Sequence, residues 1–131
     1  MKKYKIGYIL HYIDKPLITT HPELFDFSHE NTFIDVCQDW KSFIDRVVEC
    51  EETISSSLHG CVISDAYQIP TTWFKLSEKV LGDGFKFADY LSGTGREPVN
   101  IKIGEKYKFP PIPNLKELQD KLIKVLQDYA K

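Results

Sequence analysis

Hydrophobic and polar positions divide the first half of the chain into alternating strands and helices. Tyr4 to Tyr12 (YKIGYILHY) is rich in β-branched and aromatic residues. Its run from Ile6 to Leu10 is continuously apolar, as in a strand buried on both faces. Asp14-Lys15-Pro16 ends it, and residues 17–30 read as turn-like and acidic. Thr32 to Cys37 (TFIDVC) predicts a second strand. Asp39 is a good N-cap, and Trp40, Phe43, Ile44, Val47 and Val48 follow at helical spacing. Glu49, Glu51 and Glu52 lie where the helix dipole disfavours acids, and they read as solvated loop charge. A short third strand, Thr53 to Ser55, runs into Ser56-Ser57-Leu58-His59-Gly60. Either Ser56 or Ser57 is the expected N-cap of a helix that turns Cys61, Val62, Ala66 and Tyr67 toward the sheet. Ile69-Pro70 ends that helix, because proline drives the residue before it out of the helical region. Thr71 to Phe74 is the fourth strand. Two successive β-α-β crossovers imply an α/β fold with a parallel sheet and right-handed connections.

The pattern loosens after Phe74. Leu76 to Leu81 suits a turn or two of helix, and Gly82-Asp83-Gly84 suits a turn. Phe85 to Tyr90 alternates aromatic with polar side chains. Ser92-Gly93-Thr94-Gly95-Arg96 reads as a flexible loop ending in a cation, and Val99 to Ile103 as a short strand. Residues 109–114 form a proline-rich connector. A closing helix is expected over 114–130, capped by Asn114 with Glu117 and apolar at Leu115, Leu118, Leu122, Leu126 and Tyr129.

The 131 residues fit one domain, 1–131. A net charge of −2 gives no support for a nucleic-acid partner. Charge is uneven. Residues 20–53 hold two basic and nine acidic side chains, and residues 99–131 hold seven basic and four acidic. Cys37, Cys50 and Cys61 lack a CxxC spacing and read as reduced, buried thiols of a cytoplasmic protein. No signal peptide or transmembrane stretch is evident. The four histidines show no i, i+4 pairing, so no metal site is expected. Neither GxGxxG nor GxxxxGK[ST] occurs, and no cofactor is expected.

The chemistry concentrates at Ser56 to Gly60. Serine hydroxyls and backbone N–H groups at a helix N-terminus, beside a histidine, make an anion site, and phosphate is the usual anion. His59 can ligate phosphate or act as acid or base near neutral pH, and the residues leave both roles open. Ser56 and Ser57 supply hydroxyls, while Leu58 and Gly60 supply backbone N–H groups. Arg96 can pair with a carboxylate or phosphate. Asp65 lies about 120° around the helix from His59 and is expected to orient structure rather than reach a ligand. His11, at a strand end, reads as packed or hydrogen-bonded.

ISSSLHGCVISDAYQIPTTWF, followed by GFKFADYLSGTGR, resembles the carboxyl half of the polysaccharide pyruvyl transferase family. The likeness runs from Lys5 to about Arg96. Gln68 departs from it, since a small residue, commonly glycine, is usual before the Ile-Pro. The resemblance implies a Rossmann-like three-layer domain, similar to the C-terminal lobe of a GT-B-type transferase. It further implies phosphoenolpyruvate as donor, a carbohydrate acceptor, and pyruvyl transfer to sugar hydroxyls of a surface polysaccharide at the cytoplasmic face of the membrane. His59 is then the catalytic candidate, with Ser56, Ser57, Leu58, Gly60, Arg96 and Asp89 binding substrate. Lys86 and Asp89 match the family's aromatic-acidic stretch. The family's first lobe has no counterpart in these residues, so the expected function is a donor-binding half incomplete without an N-terminal lobe: an excised or truncated domain, a domain whose missing lobe a separate chain supplies, or a domain that is no longer an enzyme. Two alternatives stand beside it. One is a GT-B-type glycosyltransferase domain using a nucleotide sugar, and the other is a non-catalytic interaction module.

Overall fold

A computed structural model describes residues 2–77, 83–99 and 101–111, together with 116, 120, 123, 124, 127 and 128. The elements are β1 (Tyr4–Leu10), α1 (Leu17–Thr20), β2 (Asn31–Asp35), α2 (Trp40–Val48), β3 (Cys50–Ser55), α3 (Leu58–Ala66), β4 (Thr71–Phe74), α4 (Asp83–Gly93) and β5 (Lys106–Lys108). A 3-10 turn, Pro22–Leu24, follows α1. The strands form one sheet in the order β2-β1-β3-β4-β5. The first four are parallel, as the pattern predicts, while β5 joins β4 antiparallel.

Strand register explains the layers. Ile9, Ser55 and Trp73 are aligned across β1, β3 and β4 and share one face. Helices α2, α3 and α4 cover that face. Ile9 and Ile34 pack with Phe43, Ile44, Val47 and Ile63, while Trp73 packs with Cys61, Phe87 and Leu91. The Trp73 and Phe87 rings stack 4.0 Å apart. Tyr8, Leu10, Ile54 and Phe74 point to the other face, which Leu17, Ile18, Leu24 and Phe25 cover. The sheet is therefore clad on both sides, in keeping with a Rossmann-like α/β architecture.

Several expectations are corrected. Residues 17–30 are not turn alone: they contain α1 and the 3-10 turn, and Phe25 is buried. Strand β3 begins at Cys50, so Glu51 and Glu52 are strand residues whose side chains remain exposed. Asp83 and Gly84 belong to α4 rather than to a turn, and Phe85 to Tyr90 is helical. Val99 and residues 101–103 lie outside any strand; the added strand is Lys106–Lys108. Gly104, at φ +89°, takes the left-handed turn that reverses the chain into β5. Its N–H donates to the Lys75 carbonyl, and the Lys75 N–H donates to the Glu105 carbonyl. Cys37 is exposed, whereas Cys50 and Cys61 are buried.

The predicted cap at Asp39 forms, with its carboxylate accepting from Ser42 N–H at 3.0 Å. Helix α3 closes in a Schellman arrangement. Gln68 N–H donates to the Asp65 carbonyl, Ile69 N–H donates to the Ser64 carbonyl, and Gln68 itself is left-handed at φ 59°. Beneath α3 lies a chain of buried hydroxyls. Thr53 Oγ1 is 2.8 Å from both Ser64 Oγ and Thr71 Oγ1, Ser64 Oγ donates to the Gly60 carbonyl, and Thr71 Oγ1 lies against the Cys61 sulfur. These short side chains let the helix approach the sheet. A Cβ on Gly60 would fall 2.7 Å from Ile9 Cγ2, so only glycine fits this crossing.

The apolar positions expected for the closing helix over 114–130 lie outside the described residues, as does Asn114. The described positions Lys116, Asp120, Lys124, Gln127 and Asp128 are helical and exposed. Among the described residues, no helix is long and apolar enough to cross a membrane.

Candidate functional site

Strand order reverses between β1 and β3. From β1 the chain crosses outward to β2, while from β3 it crosses the other way to β4. In open parallel sheets the loops that leave the strand ends at such a switch point diverge and leave a crevice where ligands bind. The two loops here begin at His11 and Ser56, so the predicted serine-histidine turn lies at the switch point.

Short-range bonding shapes the turn. Ser55 Oγ accepts from Ser57 N–H at 3.0 Å and donates to the Ser57 carbonyl at 2.7 Å, folding the chain back before α3. Ser56 N–H donates to the Ile9 carbonyl, extending the β1–β3 ladder one step past the strand end. Ser56 Oγ accepts from His11 N–H at 3.0 Å. The N-cap of α3 is Ser57, in extended conformation, and its hydroxyl makes no capping bond. The Ser57 hydroxyl therefore does not take the first-turn N–H bond that an N-cap side chain usually takes.

Each predicted residue has a definite place. Ser56 and Ser57 are buried in the turn. Leu58 packs against the Trp73 and Phe87 cluster. Gly60 is held against Ser55 and Ile9 by close packing, which accounts for the glycine without a ligand. His59 is exposed in the first turn of α3. Lys86 and Asp89 are exposed on α4, three residues apart and therefore on adjoining turns of one side.

Arg96 does not join this group, and it is not in a mobile loop. It is buried. Its Nη2 is 2.8 Å from the Asp65 carboxylate, its Nη1 donates to the Pro110 carbonyl at 3.0 Å, and its Nε donates to Thr94 Oγ1 at 2.8 Å. The guanidinium also lies over the Tyr90 and Phe109 rings. Asp65, expected to orient structure, does so: it accepts from both Arg96 and the Tyr90 hydroxyl. Burial, followed by the neighbouring Asp65 charge, pushes the Tyr90 hydroxyl well above the ordinary phenol range. This knot joins α3, α4 and the 109–111 segment on the far side of α3 from the switch point.

His11 is packed and hydrogen-bonded at the strand end, as its position predicts. The structure places it at the switch point, half-buried, with its backbone bonded to Ser56. Burial lowers its pKa below 6.5; Asp14 opposes this, while the charges of His59 and Lys86 add to it. His11, just past the end of β1, thus lies within electrostatic reach of His59 on α3 and Lys86 on α4. Asp14, buried, accepts from Ser77 Oγ at 2.6 Å nearby. The available signal was position: the residue that leaves the first strand of such a fold flanks the switch point.

A cavity of about 450 Å³ lies at the opposite end of the strands, where β4 begins and β5 ends, lined by Gln68, Pro70, Lys108, Phe109, Pro110 and Pro111 among others. Its walls are mostly apolar, with Asp65, Gln68, Thr71 and Lys108 as the polar residues. Among the described residues, no group of His, Cys, Asp and Glu is placed to hold a metal ion.

No protein-family model matches the chain, and no solved structure does. The chain is similar to a protein of Acanthamoeba polyphaga mimivirus described as uncharacterized protein L143. The two are 33% identical over 96 residues, which make up 72% of this chain and 33% of the viral protein. The chain thus spans about a third of the length of the curated relative that it matches.

Proposed function

We propose that this domain binds phosphoenolpyruvate as the donor part of a pyruvyl transferase-like enzyme that acts on a carbohydrate. The supporting observation is the Ser56-Ser57-Leu58-His59 turn at the β1/β3 switch point, where Ser57 makes no side-chain cap bond and the charges of His59 and Lys86 act on His11. The resemblance of residues 54–74 and 84–96 to the pyruvyl transferases supplies the identity of the anion. The geometry alone supports an anion site of phosphate type.

In this reading, the α3 N-terminus, Ser57 and Lys86 bind the donor phosphate. Transfer adds a proton to the methylene carbon while a sugar hydroxyl oxygen bonds to the central carbon and gives up its own proton to a base. The bond from that carbon to the phosphate oxygen then breaks, and inorganic phosphate leaves. A second hydroxyl closes the ketal and loses its proton. His59, exposed at the mouth of the turn, is placed either to hold the phosphate or to move one of these protons. A further lobe supplies the acceptor. Arg96 has no part in donor binding, since Asp65, Thr94 and Pro110 engage it.

A two-dimensional NMR titration with phosphoenolpyruvate tests the reading. Saturable shifts at residues 56–60 that disappear in His59→Ala are expected. A folded protein showing no shifts at millimolar ligand would refute a donor site in this domain.

A further inference from the structure

We propose that the cavity at the start of β4 is a second binding site, which takes a small carboxylate with a flat apolar body. The inference is independent of the donor reading, because the cavity lies at the opposite end of the strands from the serine-histidine turn. Its volume of about 450 Å³ falls within the range of roughly 300–1,000 Å³ usual for small-molecule sites. Buried Ile69 and Phe109 make an apolar floor, and exposed Gln68, Pro70, Lys108 and Pro110 form the rim. The walls are fixed before any ligand arrives. Phe109 N–H donates to the Thr71 carbonyl, and the Pro110 carbonyl accepts from Arg96 Nη1 at 3.0 Å. A ligand therefore meets a site that costs little to order.

Two rim side chains select the ligand. Gln68 is left-handed at φ 59°, in a helix-ending position that glycine usually takes. Its side chain lines the cavity and makes no hydrogen bond among the described residues. Strained residues gather at ligand sites, where the side chain supplies what glycine lacks. Here that is an amide, able to donate and to accept. Lys108 sets the charge. The carboxylate of Asp65, the acid in the wall, is already met by Arg96 at 2.8 Å. Lys108 forms no ion pair among the described residues. The wall thus carries one unmatched positive charge beside an apolar floor. A monoanion with an apolar body is its complement: the carboxylate accepts from the Lys108 ammonium and the Gln68 amide, and the body covers Phe109 and the proline rings.

The test uses the full chain and four probes in two-dimensional NMR titrations. Benzoate, benzyl alcohol and benzamidine present one ring with a negative, no and a positive charge, and acetate is the anion without the ring. Benzoate should give saturable shifts at the amides of Gln68, Ile69, Thr71, Lys108 and Phe109, with a dissociation constant of about 1 mM. Benzyl alcohol should bind there about fivefold more weakly, and benzamidine and acetate should leave these amides unmoved. Lys108→Met keeps an apolar stem and should lower benzoate to the affinity of benzyl alcohol. Gln68→Gly should weaken benzoate about fivefold while making the fold more stable, so that the loss is not one of folding. The proposal is overturned if millimolar benzoate gives no saturable shift at these amides, if benzyl alcohol or benzamidine binds as tightly as benzoate, or if both variants bind benzoate undiminished. Benzoate shifts confined to residues 56–60 overturn it as well, and leave the donor reading to its own titration with phosphoenolpyruvate.

Discussion

Replacing Arg96 by methionine tests whether its guanidinium is a structural cation. Methionine keeps an unbranched apolar stem between Tyr90 and Phe109 but leaves Asp65 without its ion partner. The arginine side chain is 2% exposed and that of Asp65 is 10%, so water can do little to compensate. Removing one partner of a buried, hydrogen-bonded pair costs about 3–5 kcal/mol, most of it the penalty of an uncompensated buried charge. The carbonyl of Pro110 and the hydroxyl of Thr94 lose a donor in the same step. A domain of this size has about 5–15 kcal/mol of stability in all, so Arg96→Met should remove a large fraction of it. Urea denaturation should show an earlier midpoint at an unchanged slope. Changing Asp65 to leucine and Tyr90 to phenylalanine in the same chain removes the stranded charge and the hydroxyl that bonds to it. That triple variant should regain at least half of the loss. A loss below about 1 kcal/mol for Arg96→Met, together with a large drop in phosphoenolpyruvate affinity, would show that Arg96 serves the ligand and that the knot is incidental.

Gln68 holds a left-handed conformation that costs a side chain about 1–2 kcal/mol, and glycine would give back roughly half of this in unfolded-state entropy. Gln68→Gly should therefore stabilise the protein by about 0.5–1 kcal/mol in the same urea assay. Native protein at pH 8 should react with an aromatic disulfide at one thiol, Cys37. Burial pushes the Cys50 thiol up to about 11 and the Cys61 thiol higher still, so both should react only on unfolding. The depressed pKa of His11 means that the unfolded chain takes up its proton first. This contribution to stability is fully present above pH 6.5 and is lost as pH falls through the lower folded value. Thermal melts should show a stability loss starting below pH 6.5 that is absent in His11→Phe. Loss from Asp35 and Asp39, whose pKa values are lowered from 3.8 chiefly by backbone N–H groups, comes at much lower pH.

Elements with a strong local period were legible in the sequence. Helix α2 carries a cap and an apolar stripe, although Trp40, at its first position, is 48% exposed. Strands β1, β2 and β4 were found within a few residues. The start of β3 was missed because only Glu49 separates it from α2, leaving no room for a turn signal, and because Glu51 and Glu52 read as loop charge. Helix α4 was obscured because aromatic-polar alternation from Phe85 to Tyr90 has the period of a strand. The helical pair that fills the core is Phe87 and Leu91, four residues apart. Strand β5, Lys-Tyr-Lys, adds at a sheet edge and carries no pattern of its own. The serine-histidine turn was visible because its residues are contiguous. The particular partners of His11, which is packed and hydrogen-bonded as expected, and of Arg96 were not legible for the opposite reason. The partners of each lie 45 and 31 positions away, and only the folded topology brings them together.

The hydroxyl chain beneath α3 acts as an index mark. Apolar side chains tolerate small sliding movements, because the dispersion attraction given up on one side is regained on the other. The hydrogen-bonding contacts of the Thr53 hydroxyl with those of Ser64 and Thr71, and the bond from Ser64 to the Gly60 carbonyl, have one matching register. A helix slipped by one residue along β3 and β4 would leave several of these groups buried without partners. The position of His59 over the strand ends is therefore set about a turn and a half away by Ser64, a residue no ligand touches. Selection on the ligand would then act at one remove on Thr53, Ser64 and Thr71, and fine adjustment of the site is achievable from inside the core without altering any residue at its mouth.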